Sequence, residues 1–419
     1  MVQPLWYRPV WKLKNRRWGH SLHGMCSYLA MFPPSLPHYF IKQFTEVGDV
    51  VFDPFCGRGT TPLEACLNKR IGIGNDLNPL AQVLTGAKID IPTYGRVVRR
   101  IDKLQENYKK TSIFNVDPNI RMLYDEEVTL PMLVYLKNTL NIQNSTDRFI
   151  MAMLLGIMHG KHRKDGTSIY LSIDMPNTFS MSPNYVRNFI REHKLQKLRQ
   201  NVFQLLKSRV LTLYKNKSLP VKGKVYKRNA RTVCNARGLI RDESVDLIVT
   251  SPPYLKLINY GKYNWIRLWM LDKESHEVDD ELRIKNAYAS SENIKLSDDL
   301  KKEEYLEFMS DTIISWERVL KNNSLAVIVI GDVFEYGGKY INLAEEVWKY
   351  TQEKGTILNC RAIIEDKIKG NSKVTKIWGK QRKGQATKID RILVLSKGEA
   401  REPKYTKRKD FEKIFCYED

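Results

Sequence analysis

The spacing of apolar positions divides the chain into three textures. Between 36 and 90, "LPHYFIKQF" has helical spacing and "DVVFDPF" is a short apolar run of the kind that forms a buried strand. A glycine turn follows, then "TPLEACLNK" returns to helical spacing, and "RIGIGNDLNP" predicts a second strand closed by an acid and a turn. From about 95 to 225 the pattern changes to long helical stretches rich in Lys, Arg and Leu, including "YVRNFIREHKLQKLRQNVFQLLKSRV". The strand rhythm resumes at "KVYKRNA", "VDLIVTSPPY", "LAVIVIGDVF" and "DRILVLSKG". This alternation predicts an α/β fold with one sheet interrupted by a helical insertion. The expected divisions are 1–94 (a basic arm and the first half of the sheet), 95–225 (the insertion) and 226–419 (the second half). Residues 272–304, acidic and polar, read as a surface loop with a short helix.

Composition narrows the function classes. A chain of 419 residues exceeds one minimal core, and 42% hydrophobic residues suit a globular protein. The most apolar run, "FIMAMLLGIMHG" (149–160), is too short to cross a bilayer, and the N-terminal stretch lacks a signal-type apolar core. The expectation is therefore a cytoplasmic protein with no membrane partner. Six dispersed cysteines without a C-x-x-C pair read as reduced thiols. His159 and His162 have ligand-like spacing, but no third or fourth ligand accompanies them, so no metal is expected.

The formal charge of +22 points to a polyanion, most often nucleic acid. The basic stretch 367–388, with Trp378, suits phosphate contacts or a solvated hairpin tip. At the N-terminus, Trp6, Tyr7, Trp11 and Trp18 alternate with Arg8, Lys12, Lys14, Arg16 and Arg17. Such an arm either stacks on nucleic acid or packs its rings on the body.

Two stretches carry chemistry. "VVFDPFCGRGTT" (50–61) is a strand with an acid at its tip, followed by Gly57 and Gly59 before a helix. Glycines admit close backbone approach and a helix start offers unpaired amides. Asp76, closing the next strand, stands where a ribose hydroxyl pair is held. No third glycine completes a dinucleotide fingerprint, which leaves an adenosine-containing cofactor of another kind. "TSPPY" (250–254) ends a buried strand in a turn stiffened by two prolines.

Together, "DPFCGRGTT" and "TSPPY" resemble the signature motifs of the amino-methylating DNA methyltransferases, which use S-adenosylmethionine to modify adenine N6 or cytosine N4. "GMCSYLAMFPPSLPHYFIKQF" resembles the leading motif of that family, and "VCNARGLIRDESVDLIVTSPPY" its fourth-strand region. The resemblance covers about 20–90 and 225–400. It implies a Rossmann-like S-adenosylmethionine methyltransferase sheet, no metal, and duplex DNA as partner, with a cognate restriction endonuclease in a restriction-modification pair.

Residue by residue, the resemblance assigns Asp53, Pro54, Phe55, Gly57, Gly59 and Thr60 to the cofactor's methionine and backbone side, and Asp76 to its ribose. Asn235 falls where the family has an aspartate near the adenine amine; Phe32 and Pro33 fall in the leading motif, with core packing as the alternative for Phe32. Ser251, Pro252, Pro253 and Tyr254 are the implied catalytic set. The Ser251 hydroxyl and Pro252 carbonyl would accept hydrogen bonds from the amine, and Tyr254 would stack on a base turned out of the duplex.

Carbon-5 cytosine methylation needs a cysteine after proline, and none of the six cysteines has that neighbour. Serine as the first motif letter implies cytosine N4, with adenine N6 as the alternative. An RNA base methyltransferase and a non-catalytic binding subunit are the competing classes. Target reading is expected in the insertion, where Arg187, Arg191, Lys194, Lys197 and Arg199 have helix-like spacing. The turn-rich segment "SIDMPNTFSMSPNYVRNF" within it either lines the base pocket or joins helices.

Overall fold

The computed structural model describes residues 9–15, 18–28, 31–177, 179–216, 219–253, 260–286, 298–334, 340–368 and 386–418. Its centre is an eight-stranded sheet. The strands are β1 (Val50–Asp53), β2 (Ile71–Asn75), β3 (Lys224–Tyr226), β4 (Val245–Thr250), β5 (Leu320–Phe334), β6 (Tyr340–Ile341), β7 (Leu358–Lys367) and β8 (Ala386–Lys397). Their order is β3-β2-β1-β4-β5-β8-β7, with β6 paired to β5. The first five run parallel; β6, β7 and β8 are antiparallel to their neighbours.

Period-two alternation explains why this sheet has two covered faces. Val51, Leu247, Val249, Val327 and Val394 point to one side, where helix α1 (Ser35–Phe44) packs through Leu36, Phe40 and Phe44. Phe52, Ile248, Ile328 and Leu393 point to the other, larger core. The crossovers α2 (Thr60–Leu67) and α3 (Pro79–Ile89) share the α1 side: Cβ atoms added at Gly72 and Gly74, the partners of Val51 and Asp53, would stand 2.3 Å from Pro62 and 3.1 Å from Thr85.

Between α3 and β3 run α4 (Tyr94–Glu106), α5 (Pro118–Arg121), α6 (Thr129–Thr139), α7 (Ser145–Ile157), α8 (Pro183–His193) and α9 (Val202–Leu213). This excursion closes on itself, because the Gly223 amide donates to the Ile89 carbonyl at 2.9 Å. Helix α7 lies backbone-to-backbone against the segment before α1: a Cβ added at Gly156 would stand 2.0 Å from the Met25 carbonyl oxygen. The chain continues through α10 (Ala230–Val233), α11 (Trp265–Met270), α12 (Ser275–Asn286), α13 (Asp298–Ser315), α14 (Leu343–Glu353) and α15 (Phe411–Ile414). Among the described residues no helix is long and apolar enough to cross a membrane.

Three sequence expectations need comment. The long helical stretch 185–210 is two helices, broken where Lys194 takes a left-handed conformation (φ +48°) and ends α8. The acidic stretch 272–304 carries α12 and the start of α13. Edge strand β7 went unrecognised, because its burial alternates with only four fully buried positions in ten.

The aromatic arm, as far as it is described, packs on the body. Trp11 is 2% exposed, lies against Tyr39 and Phe40, and donates from Nε1 to Asp366 Oδ2 at 3.2 Å. Trp18 stacks on Tyr417. Trp6, Tyr7, Arg8, Arg16 and Arg17 lie outside the described residues, as does most of the basic stretch (369–385, with Trp378).

Candidate active site

The strand order places a topological switch between β1 and β4: the chain builds outward through β2 and β3, then crosses to the other side of β1. A cleft outside the carboxyl ends of the strands is expected at such a point. The two chemistry-bearing turns leave from these neighbouring strands. Thr250 Oγ1 donates to Asp53 Oδ1 at 2.6 Å, and Thr61 Oγ1 donates to the Val249 carbonyl at 3.1 Å. Glycine turn and double-proline turn are thereby bound to each other.

Local sequence shapes the glycine turn. Gly57 and Gly59 have φ of +49° and +80°, a backbone that favours glycine. A Cβ at Gly59 would stand 2.7 Å from Thr85 Oγ1, so α2 begins in close contact with α3. Thr85 Oγ1 donates to the Gly57 carbonyl, and buried Lys88 donates to the Arg58 carbonyl at 2.6 Å. Burial holds the Lys88 amine well below its ordinary range.

Asp76 stands opposite this turn. Its Oδ2 accepts from the Gly57 amide and its Oδ1 from the Asn78 amide, both at 2.9 Å. A carboxylate has about four acceptor sites, so acceptor capacity remains for a ligand. Asn75, fully buried, ties the strand tips: its side-chain amide donates to the carbonyls of Pro54 and Arg228, and its Oδ1 accepts from the Arg228 amide. Burial raises the Asp76 carboxyl to about 6 and that of Asp53 to about 7.

The resulting cleft encloses about 500 Å³, part of it open solvent. Pro54, Phe55, Gly57 and Asp76 line it from the cofactor motif, and Ser251 and Pro253 from the second turn. Asp53 is 2% exposed and sits beneath the wall. Gly59 and Thr60 lie behind it at the start of α2, and Pro252 is buried outside the lining. Phe32 packs against the core on the α1 face, and neither it nor Pro33 reaches the cleft. Asn235 is exposed beyond α10 and off the lining; Arg228, just past β3, and Ala230, the first residue of α10, form that wall instead. Tyr254 lies outside the described residues.

Other lining residues escaped the sequence reading. Tyr28 and Tyr260 stack with centroids 6.0 Å apart, and Tyr28 Oη accepts from Asn78 Nδ2 at 3.1 Å. Leu77 and Leu282 add apolar surface. Only the position of Asn78 after a strand-ending acid carried a local signal, as the cap of α3. The two histidines with ligand-like spacing have other partners: His159 Nε2 meets Ser180 Oγ at 3.3 Å, and His162 Nε2 donates to the Ser172 carbonyl.

The DNA methylase family model matches residues 3–82 and 245–417, and the chain belongs to that family. It is 24% identical over 290 residues to the type II methyltransferase M.MvaI of Kocuria varians, covering 62% of this chain and 59% of that one. It is also 24% identical over 333 residues to the type II methyltransferase M.BsoBI of Geobacillus stearothermophilus, covering 73% and 64%. The chain thus spans about three fifths of these relatives. Among solved structures, the DNA modification methylase TTHA0409 of Thermus thermophilus, complexed with S-adenosyl-L-methionine, overlaps at a TM-score of 0.25 with 20% identity, covering 43% of this chain and 59% of that one.

Proposed function

We propose that the protein methylates an exocyclic amine of a base in duplex DNA, using S-adenosylmethionine, with cytosine N4 the first target and adenine N6 the second. One observation carries this reading: Gly57 and Asp76 face Ser251 and Pro253 across a single cleft at the switch point of the sheet.

The residues fit an adenosine-containing cofactor. Asp76 keeps acceptor capacity for a ribose diol, Leu77 and Ala230 offer apolar surface to a base ring, and the bare Gly57 backbone admits close approach. When bound, S-adenosylmethionine supplies an electrophilic methyl group.

The protein's own task is to prepare the amine, whose lone pair is delocalised into the base. Ser251 Oγ and the Pro252 carbonyl would accept its two N–H groups, shifting electron density onto nitrogen and orienting it. Rigid prolines hold both acceptors in place before reaction. A base inside the duplex cannot reach such a cradle, so the target is turned out, with Tyr254 as its stacking platform. Serine at position 251 supports cytosine N4, and the type II relatives support a role beside a restriction endonuclease.

The test is label transfer from S-adenosylmethionine to duplex DNA, with tRNA as a parallel substrate. Wild-type protein labels DNA, whereas Ser251→Ala loses about 100-fold or more in kcat while binding cofactor normally. Undiminished turnover in Ser251→Ala rejects the amine cradle, and preferential labelling of tRNA rejects the DNA substrate.

A further inference from the structure

Helix α8 is displayed unlike its neighbours in the excursion. Val186 is its buried anchor, with Ile190 partly buried against the same core. Asn184, Arg187, Asn188 and Arg191 fall on one exposed stripe at three- and four-residue spacing. Beside it, Tyr185 and Phe189 stack at 6.0 Å, and His193 meets Phe189 at 4.1 Å with its ring tilted by 31°, stiffening the outer surface.

The partners of the cations differ as well. Arg100, Arg121 and Arg148 are paired to Asp147, Glu126 and Asp90. Lys197 meets Glu126 at 2.8 Å and Arg199 meets Asp125 at 3.6 Å, so two residues of the basic series 187–199 are compensated. Arg187 instead donates to the neutral amide oxygens of Asn184 (2.9 Å) and Asn119 (2.8 Å), and Arg191 to that of Asn188 (3.5 Å). A neutral acceptor orients a guanidinium without cancelling its charge. The stripe therefore presents pre-oriented cations to an anionic partner.

The helix is also fixed relative to the cleft. Just before it, the Ser180 amide donates to the Tyr263 carbonyl at 2.8 Å, and the Met181 carbonyl accepts from Trp265 Nε1 at 2.7 Å. Phe179 meets the Tyr263 ring edge-on at 5.9 Å. Tyr263 and Trp265 follow Tyr260, which lines the cleft. The turn-rich segment is thus a bracket between the exit of the double-proline turn and α8.

We infer that α8 enters the major groove of duplex DNA beside the modified base, with Arg187 and Arg191 reading base edges and Asn184 and Asn188 flanking them. This rests on the proposed DNA methylation. The groove admits an α-helix, and Arg and Asn are the side chains that pair bidentately with guanine and adenine edges. The bracket sets a constant spacing between the bases read and the base turned out.

The experiment is methylation-aware sequencing of a random-sequence duplex library treated with wild type, Arg187→Ala, Arg191→Ala, the double variant and the two lysine variants. Cofactor affinity and melting temperature are measured alongside. The expected result is relaxed preference at one or two base positions and a fall of about 10- to 100-fold in kcat/KM on the preferred site. The lysine variants keep general DNA affinity yet show the same relaxation, because an ammonium cannot form the fork. Cofactor affinity and melting stay at wild-type values. A double variant with unchanged preference, or with equal loss on all sequences, overturns base reading by α8. A wild type that leaves DNA unmodified rejects the underlying activity instead.

Discussion

In the proposed reading, Asp76 concentrates the chemistry of the cofactor side into one carboxyl. Burial lifts it to about 6, while the Gly57 and Asn78 amides favour the ionised form. An ionised carboxylate accepts a ribose hydroxyl more strongly than a protonated one. S-adenosylmethionine affinity should therefore rise as pH increases from 5 to 7, as calorimetry would show, and Asp76→Asn should bind more weakly with a flat profile. Constant wild-type affinity across that interval would remove Asp76 from the ribose site. The convergence of Gly57, Asp76 and Ser251 on one cleft was legible from sequence because each stands within a few residues of a strand end. Tyr28, Asn75 and Arg228 were not. Asn75 and Arg228 meet only when β2 and β3 pair, and Tyr28 reaches the cleft by stacking on Tyr260. Displacement of Asn235 from the lining has the same origin, since α10 turns the chain away after Ala230.

Among elements, the turn into α2 shows how much the cleft owes to packing behind it. Gly48 and Gly59 both have positive φ, +89° and +80°, but a Cβ at Gly48 meets nothing within 4 Å. Gly48→Ala should cost about 1 kcal/mol in urea unfolding, the penalty of the left-handed backbone alone. Gly59→Ala adds collision with Thr85 and should cost about 3 kcal/mol or more, with weaker cofactor binding. Equal losses would show that Thr85 yields freely. The strands β1, β2, β4, β5 and β8 were legible because each is an apolar run bounded by turn residues. β7 was obscured by Arg361, Glu365 and Asp366, whose charges are met by tertiary partners: Arg361 by Ser396 and Gly398, Glu365 by Arg391, and Asp366 by Lys12.

Across the whole molecule, segments distant in sequence are joined at one buried acid. Glu64, fully buried on α2, meets His23 Nε2 at 2.5 Å and His38 Nδ1 at 2.7 Å, and Tyr417 Oη donates to it at 3.2 Å. Burial alone would raise Glu64, but hydrogen bonds from both histidines bring it to about 2, while burial lowers His23 to about 4. Glu64→Leu strands three polar groups away from water. Its expected cost is about 3–5 kcal/mol in urea unfolding, and a loss below about 1 kcal/mol would show that they find other partners. None of this was legible locally, because His23, His38, Glu64 and Tyr417 lie in four separate stretches. The Gly223–Ile89 hydrogen bond has a consequence for descent. Since the excursion leaves and rejoins the sheet at one doorway, recombination could replace everything between those residues as a cassette. The inherited constraints would include the fit of Gly156 on Met25, the grip of Arg267 on the Leu155 carbonyl, and the bonds of Ser180 and Met181 to Tyr263 and Trp265. With target reading by α8 as inferred above, new site preferences would arise by exchange of a whole segment while the reaction centre is passed on unchanged.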